Sequence, residues 1–290
     1  MVLSFYEIEP SQKIRKLENQ DSDIEKSLQQ LFEMNLEELL GVRFIASEYS
    51  TGKVHKGRID TLGIDENNVP VIIEYKRSVN ENVINQGLYY YDWLLDHKAE
   101  FEKLAMKVWQ LKHDDISWNN PRVVCIASGF TKYDEHAVNQ IDKNIELYEY
   151  QLYEKRFISL NLVNTPSVKK EKTSAKTAAK VKVTTADIKG LYGDLRAYLL
   201  SLGDDVQETE LKHYVAYKKI RNFTCVEIQA KKLLLSINLN PDQIKLEEGF
   251  SSDFRNVGHF GTGDLRVEIK NSSDFQKAKQ LIIQSYERTK

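Results

Sequence analysis

A mixed α/β sheet carrying helices, followed by a smaller α+β unit, is the architecture that this 290-residue sequence predicts. Three observations lead there. Over residues 1–164 the hydrophobic period runs helical, then strand-like three times, then helical, strand-like, helical and strand-like again, the order of a mixed sheet with helices packed on it. One segment, "PRVVCIASGF", is apolar throughout, as expected of a strand covered on both faces. The segment 165–185 is Lys-rich, lacks aromatics and has little to bury, so it reads as a flexible linker to a second domain over 186–290.

Taken in order, "SDIEKSLQQLFEMNLEELLG" opens with Ser22 three residues before Glu25, the capping-box spacing. Ile24, Leu28, Leu31, Phe32, Leu36 and Leu39 then recur at helical spacing, and Gly41 is the expected stop. "VRFIASEYS" is the first strand. "GRIDTLGID" and "VPVIIEYKR" follow, joined by "ENN", a short polar turn suited to a hairpin. Asn80 is an expected N-cap for a helix to about His97, with Ile84, Leu88, Tyr91 and Leu95 on one stripe. After the apolar strand, "DEHAVNQIDK" is read as a helix, and "ELYEYQL" and "KRFISLNLV" close the domain as strands. In the second domain "TADIKGLYGDLRAYLLSLG" is a helix ending at Gly203. Strands with a turn near "QAKK" come next, then a strand and a final helix that Ser273 or Asp274 should cap.

Composition narrows the function classes. No apolar run approaches 18 residues, so no membrane span is expected. The start lacks a basic region followed by an apolar one, and Cys125 and Cys225 sit in strand-like runs without metal-ligand spacing. A cytoplasmic protein with two buried, reduced thiols is the expectation. The formal charge is −2, but the linker alone holds six Lys and one Glu. The histidines, at 55, 97, 113, 136, 213 and 259, show no zinc spacing.

The stretch "RIDTLGIDENNVPVIIEYKRS", residues 58–78, carries the chemistry. Glu74 and Lys76 share one face of their strand, and Arg58 and Asp60 share one face of the strand before it. Paired across the turn, Asp60 and Glu74 converge. An uncompensated carboxylate in an apolar strand costs several kcal/mol, and two together raise each other's pKa. A divalent cation with oxygen ligands removes that penalty, and Lys76 can then place a water or steady charge on phosphorus. Structural ion pairs, Glu74 with Lys76 or Arg77 and Asp60 with Arg58, would account for the same charges.

Together "IEKSLQQLFEMNLEELLGVRFI", "GRIDTLGID", "VPVIIEYKR" and "NQGLYYYDWL" resemble the PD-(D/E)XK nuclease superfamily, nearest to the nuclease domain of the mismatch-specific endonuclease type. The resemblance covers about residues 20–130. It implies a restriction-endonuclease-like αβββαβ core and Mg²⁺- or Mn²⁺-dependent hydrolysis of phosphodiester bonds, with DNA favoured as the substrate. It also implies the roles of individual residues. Asp60 and Glu74 are metal ligands along with the backbone carbonyl of Tyr75, and Lys76 organises the water. Gln86 matches the helix glutamine, and Glu25 the acid of the first helix that holds a water or second metal. The position before Asp60 is Ile59 where the motif has Pro.

On the helix after Glu74 and Lys76, the residues Gln86, Tyr89, Tyr90 and Trp93 fall on a second face that could line a cleft or pack under a neighbour. Lys53, His55, Lys56 and Arg58 form a basic approach to Asp60, and with Arg77 and Tyr90 they are candidate nucleic-acid contacts. In the second domain Lys212, Lys218, Lys219, Arg221, Lys231 and Lys232, with Tyr214, Tyr217 and Phe223, could form a binding face or an ordinary charged surface. The expected function is a metal-dependent endonuclease with nucleic acid as partner and a homodimer possible. The alternative is a nuclease-like module that binds nucleic acid or protein without cutting.

Overall fold

The computed structural model describes residues 5–10, 12–20, 25–76, 82–164 and 186–289. The 165–185 linker, Arg77, Ser22 and Asn80 lie outside the described residues, as does the side chain of Glu25.

The chain begins with a hairpin of β1 (Tyr6–Ile8) and β2 (Ile14–Lys16), then the short β3 (Asn19–Gln20). The expected first helix is two helices, α1 (Glu25–Glu33) and α2 (Leu36–Leu40). Gly41 ends the second at φ +62°, in the left-handed region glycine favours. Next come β4 (Val42–Ser50), the single turn α3 (Gly52–His55), β5 (Arg58–Asp65) and β6 (Pro70–Tyr75). Beyond these lie α4 (Val83–Asp96), α5 (Lys98–Trp109), β7 (Arg122–Ala127), α6 (Lys132–Gln140), β8 (Asn144–Tyr153) and β9 (Phe157–Leu162).

Seven of these strands form one mixed sheet in the order β3-β8-β7-β6-β5-β4, with β9 also on β8. The β4-β5-β6 meander is antiparallel, whereas β6-β7 and β7-β8 are parallel. Every residue of β6 and β7 is buried, as the unbroken apolar run of β7 predicts. Alternation of side chains splits the core into two layers. Val71, Ile73, Tyr75, Val124 and Ile126 pack with Leu28, Phe32, Leu36 and Leu40 of α1 and α2. Leu62, Ile64, Ile72, Val123 and Cys125 pack with Val83, Ile84, Tyr91, Leu94 and Phe101 of α4 and α5.

The stripe expected on α4, Ile84, Leu88, Tyr91 and Leu95, does face the core, but the helix is buried over a wider arc. Its buried residues are Val83, Ile84, Gly87, Tyr90, Tyr91, Trp93 and Leu94, so of the second face Tyr90 and Trp93 take the packing alternative while Tyr89 stays exposed. Gly87 decides how α4 seats: a Cβ there would stand 2.6 Å from Val123 Cγ1, and only glycine lets the helix lie this close to β7.

The second unit comprises α7 (Ala186–Leu200), β10 (Gln207–Glu210), β11 (Val215–Lys218), β12 (Asn222–Ile228), β13 (Leu233–Ile237), β14 (Ser251–Asp253), β15 (Leu265–Ile269) and α8 (Ser272–Arg288). Its six strands are ordered β10-β11-β12-β13-β15-β14, all antiparallel. Both helices cover one face through Leu195, Leu199, Phe275 and Ile282. Asn271 caps α8 by accepting from the Asp274 amide at 3.0 Å, where the sequence pointed to Ser273 or Asp274.

The basic and aromatic cluster of this unit is not an open binding face. Tyr217 and Phe223 are core, and Lys218 is buried 3.7 Å from Glu146. Arg221 pairs with Glu66 and Lys219 with Asp205. Several of these residues join the two sheets. Asn222 and Asn67 exchange side-chain hydrogen bonds of 2.8 and 3.2 Å, and Tyr214 donates to Asn67 Oδ1 at 3.1 Å. Arg122 holds Glu146 with two bonds of 2.8 Å each.

Candidate active site

The β5-β6 hairpin turns at Asp65–Asn68, with Asp65 Oδ1 accepting from the amides of Asn67 and Val69, and Asn68 in the left-handed region at φ +57°. This fixes the register as Ile64 opposite Pro70 through Thr61 opposite Ile73. One step further, Asp60 faces Glu74. The Asp60 amide donates to Glu74 Oε1 at 3.2 Å, and Asp60 Oδ2 accepts from the Tyr75 amide at 3.0 Å. Asp60 is partly open to solvent, whereas Glu74 is fully buried.

Glu74 Oε2 is buried without a hydrogen-bond partner among the described residues. Burial, then the negative charge of Asp60, pushes the Glu74 carboxyl up to about 9. Lys76, partly exposed just past β6, acts against that shift through its charge. Its backbone is fixed by an N–H bond of 2.8 Å to the Ile126 carbonyl on β7. Asp60, Glu74 and Lys76 therefore meet at the open end of β6, on the α4 side of the sheet.

Residues of α1 support the pair from the other side. Gln29 Nε2 donates to the Asp60 carbonyl at 2.8 Å and to Ser47 Oγ at 3.1 Å. Thr61 donates to Glu33 Oε1 at 2.6 Å, and Gln29 reaches the same carboxylate at 3.0 Å. Sequence reasoning named Glu25 and missed these residues. The signal was there: Gln29 and Glu33 follow Glu25 at successive four-residue steps, which places all three on one helical face. The Tyr75 ring points to that side as well, edge-on to Phe32.

The other predicted residues divide. Gln86 is half-buried in the first turns of α4, just before Gly87. Lys53, Lys56 and Arg58 are exposed along the approach to Asp60, and Arg58 pairs with Glu48 at 2.5 Å rather than with Asp60. Tyr90 presents no ring to solvent. It is buried, and its hydroxyl accepts from the Arg58 amide at 3.1 Å, holding the entry to β5. The exposed ring of α4 is Tyr89, whose hydroxyl bonds the His55 carbonyl at 2.7 Å.

Among the described residues two places could take a metal. At the first, Asp60, Glu74 and the Tyr75 carbonyl offer oxygen donors only, the set that suits Mg²⁺ or Mn²⁺, and the orphaned Glu74 Oε2 is the atom such an ion would satisfy. At the second, ligand atoms of His55, Asp92 and Asp96 lie within 4.8 Å of one another. Asp92 and Asp96 are exposed one helical turn apart on α4.

Comparison with known proteins adds the following. A family model described as Domain of unknown function (DUF5655) matches residues 176–289. A protein of Haemophilus influenzae described as uncharacterized is 32% identical over 293 residues, which cover 94% of this chain and 96% of that protein. Among solved structures, a repair endonuclease from Pyrococcus abyssi matches with 19% identity and a TM-score of 0.29, over 45% of this chain and 49% of that one. A complex of EndoMS with double-stranded DNA matches with 15% identity and a TM-score of 0.27, over 47% and 51% respectively. The chain spans about half the length of these two structures. By its near full-length identity, this chain belongs to the same family as the Haemophilus influenzae protein.

Proposed function

We propose that this protein is a metal-dependent endonuclease that hydrolyses phosphodiester bonds in DNA. The observation that carries the reading is the convergence of Asp60, Glu74 and Lys76 on one sheet face with Glu74 Oε2 unsatisfied. Asp60, Glu74 and the Tyr75 carbonyl would hold the cation. When bound, a divalent ion there would offset both negative charges and polarise a phosphoryl oxygen. Asp60 is fixed for this by the Tyr75 amide and, through its carbonyl, by Gln29. The Lys76 ammonium, on a backbone pinned to β7, would orient the attacking water and steady charge developing on phosphorus. Gln86, half-buried in the first turns of α4, would act beside this chemistry. Lys53, Lys56 and Arg58 supply exposed positive charge for the flanking phosphates.

The complete burial of Glu74, with its carboxyl neutral at pH 7, favours a second reading: a nuclease-like module that binds nucleic acid without cutting it. One experiment separates the two. The wild-type chain and the Asp60→Ala, Glu74→Gln and Lys76→Met variants are incubated with Mg²⁺ or Mn²⁺ on a panel of duplex, mismatched, flapped and single-stranded DNA and on RNA. Cleavage by the wild type that falls about 10²–10³-fold or more in each folded variant supports the enzyme. Undiminished, metal-independent cleavage in all three removes it. Calorimetric Mn²⁺ binding without turnover on any substrate supports the module.

A further inference from the structure

The helix-free face of the C-terminal sheet carries a built hollow that hydrolysis does not use. Strand register places Glu227, Leu234 and Glu268 in one row across β12, β13 and β15, and Cys225, Ser236 and Arg266 in the next. Alternation turns all six away from α7 and α8. The loop after β14 brings Phe254 and Phe260 to the border of these rows, leaving an open hollow of about 480 Å³, within the range of small-ligand sites.

Arg266 is the anomaly in its wall. The residue is 5% exposed, and its Nε and Nη1 find no hydrogen-bond acceptor among the described residues. Phe254 covers one face of the guanidinium, 4.4 Å from Cζ to the ring centroid, and Glu227 stands 3.8 Å from Nη1, too far for a hydrogen bond. A buried guanidinium left this way is costly and calls for acceptor atoms in the hollow. A simple oxyanion fits badly, because two carboxylates line the same space. Glu268 is matched by Lys232 and Lys270, at 2.8 and 3.0 Å. Among the described residues Glu227 is met by the Gln229 amide, at 2.7 Å, and by the more distant Arg266, and its part-exposed carboxylate is open to donors in the hollow. The floor is Leu234, and Phe260, 49% exposed, offers a ring at the rim, stacked on His213 at 4.1 Å.

We propose that this hollow takes a guanine base. A planar heterocycle lying on Leu234 and against Phe260 would present O6 and N7 as acceptors to Arg266, and its ring N–H and exocyclic amine as donors to Glu227. The proposal rests on none of the residues assigned to hydrolysis, and its test reads binding, so it stands or falls separately from the nuclease reading.

The test is equilibrium binding to the full-length chain in EDTA, using GMP, AMP and inorganic phosphate as probes. Saturable GMP binding, with AMP at least tenfold weaker and phosphate unable to compete, is the expected result. Phe260→Ala, at an exposed position, should weaken GMP about tenfold with an unchanged circular dichroism spectrum. Glu227→Gln should erode the preference for GMP over AMP. Competition by phosphate as strong as that by GMP, equal binding of GMP and AMP, or no saturation at millimolar GMP would each overturn the assignment.

Discussion

Replacing Glu74 with Gln keeps the volume of a buried side chain and removes its ability to ionise. Burial first, and the Asp60 charge second, move this carboxyl from its ordinary 4.5 to about 9, while the Asp60 amide and Lys76 only partly oppose the shift. Between those two values the native protein holds a proton that the unfolded chain has released. Stability therefore falls with rising pH at about 1.4 kcal/mol per unit. The contribution is intact below about 4.5 and fully lost once pH passes 9. From pH 5 to pH 8 the wild type should lose about 4 kcal/mol relative to Glu74→Gln, whose neutral amide mimics the protonated acid throughout. The assay is urea unfolding of both proteins in EDTA at intervals across that range, read as the difference between the two curves, so that other titrating groups cancel. The two should nearly coincide at pH 5 and separate steadily, with Glu74→Gln the more stable at pH 8. Added Mn²⁺ should narrow the gap at pH 8 by stabilising only the wild type. Parallel curves would mean that Glu74 titrates as a hydrated carboxylate, and the account of its burial would be wrong.

Three further outcomes follow from the packing around the site. Gly87→Ala places a methyl 2.6 Å from Val123 Cγ1, so thermal unfolding should show a loss of about 1–3 kcal/mol, with cleavage lowered as α4 and Gln86 shift off the sheet. Glu146→Gln removes the carboxylate shared by buried Arg122 and Lys218 and should cost about 3–5 kcal/mol in denaturant unfolding. Burial works to raise the Glu146 pKa, but Arg122 and then Lys218 outweigh it and hold it near 2. Its stabilisation is therefore present above the ordinary 4.5 and lost as pH falls towards 2, and the acid limb of the wild-type stability curve should flatten in the variant. Tyr90→Phe deletes the acceptor for the Arg58 amide. It should cost about 1 kcal/mol and speed hydrogen exchange at that amide, with DNA affinity little changed if Tyr90 never meets a base.

Much of this was written in local pattern. Period-two alternation and the polar "ENN" turn specify a β5-β6 hairpin, and a hairpin with that register leaves Asp60 opposite Glu74 whatever else the chain does. Gly41 and the unbroken apolar run of β7 were legible for the same reason, because each states a backbone or burial requirement within a few residues. What sequence alone left hidden depends on partners distant in the chain. The angle of the α4 face holding Tyr90 and Trp93 suits a cleft or a packed interface alike, and the close seat that Gly87 allows against β7 goes with both rings being buried. Lys218 and Arg221 look like a solvated basic surface until Glu146 and Glu66, more than 70 residues away, arrive beside them.

Those same long-range partners bear on how the site works. The hairpin that presents Asp60 and Glu74 at one end is gripped at its turn by the C-terminal unit. Arg221 Nε and the Asn222 amide both donate to Glu66, at 2.9 and 2.7 Å, Asn222 locks Asn67, and Asp65 lies 3.5 Å from the buried Arg122. Val69, the next residue but one, is buried with Leu211, Ala216 and Cys225 of that unit. Five residue steps of β5 run from Asp65, at the turn, to Asp60, roughly 17 Å of extended strand. Along that length β5 and β6 are hydrogen-bonded to each other and flanked by β4 and β7, so the turn cannot shift without moving the register that joins the two carboxylates. The desolvated Glu74 carboxyl stands opposite Asp60 because of that register, and the turn that sets it is clamped by charge-assisted bonds and a small apolar cluster. The C-terminal unit therefore holds the turn of the hairpin that carries the candidate site.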